Sequence, residues 1–122
     1  MTKTYDCQPT LTDSKVFSFC RDGYLMLEGI VPNEINQKTN KFIDQNGHRP
    51  LLKEDWFIEQ IFLNSQVVGV IRSLLGTNFA LPIKLPNHRA KCPLPAQNWH
   101  RDGGSRYGCE LNHLQVFYYP QD

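Results

Sequence analysis

The sequence lacks several features that mark specialised classes of protein. It has no run of eighteen apolar residues, which a membrane-spanning helix requires, and its first residues, MTKTYDCQPT, lack the apolar stretch of a secretory signal. None of its 4 cysteines forms the C-x-x-C pair of zinc ribbons and redox sites. The net charge is only +1, unlike the strongly basic surface of nucleic-acid binders. We therefore expect a cytoplasmic protein with reduced cysteines and neither a membrane nor a nucleic acid as partner.

The composition and length predict one domain, or a domain fragment, over residues 1–122. A hydrophobic content of 40% is enough to form a core. Residues 1–76 carry 8 basic and 9 acidic side chains and are predicted to be a mostly helical cap, whereas residues 77–122 hold 5 of the 8 prolines, which exclude long helices. Helices followed by sheet predict the α+β class or a helix-flanked all-β pattern.

Four helices are predicted before Gly76 from their caps and apolar spacing. Thr12 is the expected N-cap of the first helix and Gly23 its end; Pro32 lies in the first turn of the second, Glu54 and Asp55 open the third, and Asn64 caps a fourth that Gly76 ends. The positions expected to face the core are Val16, Phe17 and Cys20; Ile35, Phe42 and Ile43; Phe57, Ile58, Ile61 and Phe62; and Val67, Val70, Ile71 and Leu74.

Three short segments are predicted to be strands. Tyr24–Leu27 is apolar and rich in residues that favour strands. The segments NFALPIKL (78–85) and LNHLQVFYY (111–119) have the same character, and the second is rich in aromatic and β-branched residues.

One motif carries chemistry: QNWHRDGGSRYG, residues 97–108. If the chain is extended there, His100 and Asp102 project from the same face, and their nitrogen and oxygen atoms can meet at one divalent metal ion. Such a pair is two-thirds of the 2-His-1-carboxylate set of non-haem iron oxygenases. Gly103 and Gly104 leave space beside the ion. On its own the tripeptide also fits a surface turn in which Asp102 accepts backbone hydrogen bonds.

The motif and its flanks resemble the phytanoyl-CoA dioxygenase family of Fe(II)- and 2-oxoglutarate-dependent oxygenases. The likeness rests on QNWHRDGG followed by LNHLQVFYYPQD, on VVGVIRSLLG (67–76), which is similar to the helix before the family's first core strand, and on GYLMLEGIVP (23–32), which is similar to its N-terminal strand and turn. It extends from about Phe19 to Asp122 and is strongest around His100.

The resemblance implies a double-stranded β-helix, a jelly-roll or cupin-like barrel of eight strands with helices packed outside, of which this chain holds the first strands. It implies that His100 and Asp102 are catalytic residues that bind Fe(II), and that 2-oxoglutarate and dioxygen are consumed in hydroxylating a small-molecule substrate. Gln97 and Tyr119 stand where contacts to 2-oxoglutarate could come from. For Tyr119 the alternative is an aromatic of the barrel core.

The sequence departs from the family pattern after Asp102. Only twenty residues follow, and they contain neither the family's downstream histidine nor its carboxylate-binding arginine. His113 is the one histidine among them, and a solvent-facing or core position suits it better than the role of third ligand. At most three core strands follow Gly76, so we expect a natural truncation, an N-terminal fragment of a longer protein, or a half that a second chain completes.

Two further functions remain open from the sequence. A shortened homologue could serve as a non-catalytic binding or scaffold module, and a cupin-type hydrolase or isomerase could use another metal. Between residues 84 and 106 five cations accompany a single acid, Asp102. These cations could steer the dianion 2-oxoglutarate or an anionic substrate, or they could belong to an ordinary solvated loop.

Overall fold

The computed structural model describes residues 7–47, 49–80 and 110–120, together with positions 93, 95, 96 and 98. Within these ranges the order is α1 (Asp13–Asp22), α2 (Asn33–Asn46), a 3₁₀ helix (Arg49–Lys53), α3 (Asp55–Phe57) running into a π-helical turn (Ile58–Phe62), and α4 (Ser65–Leu75). No β-strand is assigned in them. Most of the predicted strand 78–85 lies outside the described residues.

The helix ends follow the local capping chemistry. Thr12 accepts a hydrogen bond from the Lys15 N–H at the start of α1, and Asn64 accepts one from the Gln66 N–H at the start of α4. Gly23 and Gly76 follow the last residues of these helices with φ of +80°, a left-handed conformation that glycine adopts without strain. The four predicted boundaries are confirmed. Pro32, expected inside the first turn, instead immediately precedes α2 as its N-cap.

The core lies where α2, the 3₁₀ helix, α3 and the π-helical turn meet. Leu51, Phe57 and Ile61 are buried at its centre. The partly buried side chains packed around them are Val31, Ile35, Phe42, Ile43, Trp56, Phe62 and Tyr118. The predictions for α2 and for Phe57 and Ile61 are therefore confirmed. The predicted third helix is correct in place, but it changes from α to π pitch where the Leu63 N–H bonds to the Ile58 carbonyl at 2.8 Å.

The buried faces of the first and last helices differ from the predictions. In α1 no residue is buried: Phe17 is 74% exposed and Cys20 is exposed, so the expected core face is wrong. In α4 the buried apolar residues are Val68 and Ile71, of which only Ile71 was expected. The helix is apolar on most of its circumference, so spacing alone left the choice of face undetermined.

The predicted strand Tyr24–Leu27 is wrong for the described chain. The segment is irregular, and Tyr24 and Met26 are 65% and 71% exposed. It lies between two glycines of positive φ, Gly23 and Gly29, and forms no ladder with any part of the chain that the structure describes. Strand preference takes effect only where a neighbouring strand provides packing and hydrogen bonds.

The helices are short. The longest, α2, has 14 residues, and within the described ranges no helix is long and apolar enough to cross a membrane.

Candidate functional site

The chain that follows the H-x-D motif, residues 110–120, returns to the helical core and is fixed there by α2. The side chain of Asn40 donates a hydrogen bond of 2.9 Å to the carbonyl oxygen of Pro120. The Tyr118 ring lies against Phe57, with 6.2 Å between ring centroids. Residues 110–120 are therefore attached to the helices at their C-terminal end.

The hydroxyl of Tyr118 sits on the polar side of α2. It donates to Oδ1 of Asn36 at 2.7 Å and lies 3.3 Å from Oγ1 of Thr39. Thr39 is itself buried and donates its proton to the carbonyl of Ile35 at 2.8 Å. Burial raises the pKa of the Tyr118 phenol above its ordinary value, and the contact with Thr39 opposes that rise. Tyr118 is thus a neutral hydrogen-bond donor at ordinary pH.

From Phe117 to Pro120 the side chains alternate between exposed and partly buried positions. Leu114, Tyr118 and Pro120 are partly buried, whereas Phe117 and Tyr119 are exposed by 62% and 77%. The rings of Phe117 and Tyr119 stack at 6.3 Å with planes 18° apart, which places both on the same side of the chain. Side chains two apart share a side only where the backbone is extended. Residues 117–120 have the alternation of a strand, although no strand is assigned to them, and Val116, which is 60% exposed, does not continue it.

The predicted site residues divide between the described and undescribed parts of the chain. His100, Asp102 and Gln97 lie outside the described residues. Tyr119 is described; its ring is exposed and is absent from the hydrophobic cluster of the described residues. His113 is exposed, in agreement with a solvent-facing histidine. No three His, Cys, Asp or Glu side chains come together as a metal site in the part of the chain that is described.

The sequence analysis missed the residues that anchor this segment: Asn36, Thr39, Asn40 and Tyr118. A weak signal was present, because Asn36, Thr39 and Asn40 are spaced three and four apart and therefore share one polar face of α2. Nothing local linked that face to Tyr118, since the chain separates Asn36 and Tyr118 by 82 residues.

Comparisons with known proteins add no relative: no protein-family model, no curated protein and no solved structure matches the chain.

Proposed function

We propose that the chain is the N-terminal part of a non-haem Fe(II)- and 2-oxoglutarate-dependent dioxygenase, a hydroxylase of the phytanoyl-CoA dioxygenase type, in which His100 and Asp102 bind the iron. One observation carries the proposal: the order His100, Arg101, Asp102, Gly103, Gly104 within flanks of matching character. An imidazole and a carboxylate two residues apart are ligands that suit Fe(II), and paired glycines keep bulky groups away from the ion.

The chain's own residues would bind and orient the reactants. The donor set fits iron, since His100 supplies a nitrogen ligand and Asp102 an oxygen ligand. Iron held there would supply the oxidation of an unactivated C–H bond of a small-molecule substrate, with dioxygen and 2-oxoglutarate consumed and succinate and CO₂ released. Gln97 and Tyr119 would contact 2-oxoglutarate, and the cations between residues 84 and 106 would attract its two negative charges.

The third iron ligand is expected from beyond these residues. His113, the remaining histidine after Asp102, is exposed to solvent. The proposal therefore includes a further stretch of the protein, or a second chain, that completes the barrel and supplies the missing histidine and a cation for the distal carboxylate of 2-oxoglutarate. The 122-residue chain alone is expected to bind iron weakly and to form no succinate.

Fe(II) titration under anaerobic conditions tests the assignment of ligands. We expect His100→Ala and Asp102→Ala each to weaken binding by about tenfold or more, because each removes one of the two protein ligands. His113→Ala is the matched control: it removes a histidine from the same region and leaves the affinity unchanged. Equal iron affinity in the parent chain and in the His100→Ala variant would overturn the proposal.

The alternative is a truncated, non-catalytic homologue that acts as a binding or scaffold module. The exposed, stacked rings of Phe117 and Tyr119 favour it, since large apolar groups on a surface are common at binding sites. Succinate release separates the two functions. Production of succinate from 2-oxoglutarate by the chain joined with its completing segment, lost in His100→Ala, supports the oxygenase; iron binding with no turnover in that complete form supports the module.

A further inference from the structure

The segment that precedes α1, residues 7–11, lies against α4 and is hydrogen-bonded there to Ser73 and Gly69; we name it the strap. The backbone N–H groups of Thr10 and Leu11 both donate to Oγ of Ser73, at 2.9 and 3.0 Å. The Thr10 N–H also reaches the carbonyl oxygen of Gly69 at 3.3 Å. One hydroxyl therefore accepts from two consecutive amides of the strap.

The Ser73 hydroxyl is fully used in this arrangement. It donates its own proton to the Gly69 carbonyl at 2.7 Å while it accepts the two strap amides. A hydroxyl has one proton to donate and two lone pairs to accept with, so all three capacities are filled. Removal of Ser73 Oγ leaves the Leu11 amide without this partner and the Thr10 amide with only the longer bond to Gly69.

Gly69 allows the strap to lie this close to the helix. A Cβ atom at position 69 would lie 2.8 Å from Oγ1 of Thr10 and 2.9 Å from the carbonyl oxygen of Gln8, and would also overlap the Thr10 methyl group. Backbone φ does not require glycine there, since Gly69 is absent from the glycines of positive φ. Glycine at position 69 therefore leaves the space that the strap needs to lie against α4.

The strap and the helix that follows it, α1, differ in how deeply their side chains are buried. At the start of the strap, Cys7 is a buried thiol with only 8% of its surface exposed. After the strap, α1 has no fully buried residue: Phe17 is 74% exposed, and Val16 and Phe19 are only partly buried. Segments with little buried apolar surface open at a lower free energy than the core of the same protein. The core formed by Leu51, Phe57 and Ile61 lies on other elements.

From these observations we propose that the strap is a displaceable latch, which leaves α4 together with α1 while the core stays folded, and whose release converts Cys7 from a shielded to a reactive thiol. Ser73 stabilises the closed state by accepting the strap's hydrogen bonds, and Gly69 leaves the space that the closed strap occupies. The device is a conformational switch on the thiol reactivity of Cys7, and it is independent of the proposed oxygenase function.

Alkylation of the full chain by iodoacetamide, followed by peptide mass spectrometry, measures the opening. The cysteine thiolate displaces iodide and forms a carbon–sulfur bond, with the thiol proton released to solvent. Cys20, which is exposed, serves as the standard within the same molecule. We expect Cys7 to react at least tenfold more slowly than Cys20 in the parent chain, with a rate that depends little on low urea concentrations because opening exposes little surface.

Ser73→Ala should raise the Cys7 rate about tenfold and leave the Cys20 rate unchanged. The matched control is Ser18→Ala in α1, since Ser18 likewise donates to the carbonyl four residues before it, at 3.0 Å from Ser14 O, but its hydroxyl makes no bond to the strap. It should leave the Cys7 rate at the parent value.

Gly69→Ala separates release of the strap from loss of the fold. Alanine favours a helix more than glycine does, so α4 should not be weakened, yet the added methyl group displaces Thr10. We expect faster alkylation of Cys7 while the urea transition stays cooperative and close to that of the parent, because the gain in helix propensity offsets most of the lost strap contacts. The proposal is overturned if Cys7 reacts as slowly in Ser73→Ala and Gly69→Ala as in the parent. It is also overturned if the alkylation rate of Cys7 depends on urea concentration as steeply as global unfolding does.

Discussion

Tyr118 and Asn36 lie 82 residues apart in the chain and 2.7 Å apart in the fold, where the tyrosine hydroxyl donates to the amide oxygen. The contact joins the segment after the H-x-D motif to the first turn of α2, of which Asn36 is the fourth residue. Tyr118 also contributes its ring to the core beside Phe57. It therefore fixes the end of the motif-bearing region by a polar and an apolar contact at once.

Tyr118→Phe should lower the free energy of unfolding by about 1 kcal/mol, because it removes the hydroxyl and keeps the ring. Chemical denaturation with urea measures the change. The control is Tyr119→Phe, the same chemical change at a neighbouring residue that is 77% exposed, and it should alter stability by less than about 0.5 kcal/mol. Equal effects at the two positions would contradict the role given to the Asn36 contact.

The same hydroxyl predicts a loss of stability at high pH. Burial raises the pKa of Tyr118 above its ordinary value of 10.0, so at alkaline pH the folded state holds the phenol proton more tightly than the unfolded state does. The stabilisation is complete below pH 10, the unfolded pKa, and is lost as pH rises through the higher folded pKa. Urea midpoints measured from pH 8 to above pH 10 should therefore fall more steeply in the parent than in Tyr118→Phe.

Phe57 and Phe17 should respond very differently to truncation, although both occupy apolar positions at helical spacing. Phe57 is 2% exposed at the centre of the core, and Phe57→Ala should cost about 3–5 kcal/mol in unfolding free energy. Phe17→Ala, at 74% exposure, should change stability by less than about 0.5 kcal/mol. A loss of several kcal/mol in Phe17→Ala would mean that α1 packs against something that its exposure does not reveal.

The sequence predicts helix ends well here because a cap is a local interaction. Thr12 and Asn64 bond to amides two or three residues away, and Gly23 and Gly76 end helices through their own backbone conformation. Burial could not be predicted equally well. Periodicity marks a face that could be buried, but whether Phe17 is covered depends on which distant segment docks against it.

In the candidate site, too, the sequence predicts local features better than it predicts contacts between distant residues. The H-x-D motif is visible in the sequence because its two residues lie close together, while His100 and Asp102 themselves lie outside the described residues. Tyr118 was not predicted, since within the aromatic run 117–119 each ring has a similar preference. Its distant partners, Asn36 on α2 and Phe57 in the core, are what distinguish it from Tyr119.

The cap of α4 offers a sharp test of helix initiation next to the π-helical turn. The side chain of Asn64 accepts a hydrogen bond of 3.0 Å from the Gln66 N–H. Asn64→Ala should lower the unfolding free energy by about 1 kcal/mol, and Asn64→Asp should preserve it, because a carboxylate accepts the same bond. Denaturation of the three proteins at one ionic strength makes the comparison. The capping role is contradicted if alanine and aspartate give the same stability.

Tyr118 and Tyr119 should differ in how much each hydroxyl contributes to the binding of 2-oxoglutarate. The Tyr118 hydroxyl already donates to Asn36, whereas the Tyr119 side chain is 77% exposed and can meet a small dianion without opening the core. If Tyr119 contacts 2-oxoglutarate, as we propose, Tyr119→Phe should weaken its binding to the iron-loaded protein, joined with its completing segment, by roughly tenfold to a hundredfold, the loss of one hydrogen bond to a charged group. Tyr118→Phe should weaken it far less. Calorimetry measures the 2-oxoglutarate affinity of the two variants, which differ only in which hydroxyl is missing. An equal affinity in Tyr119→Phe and the parent would remove Tyr119 from the cosubstrate site.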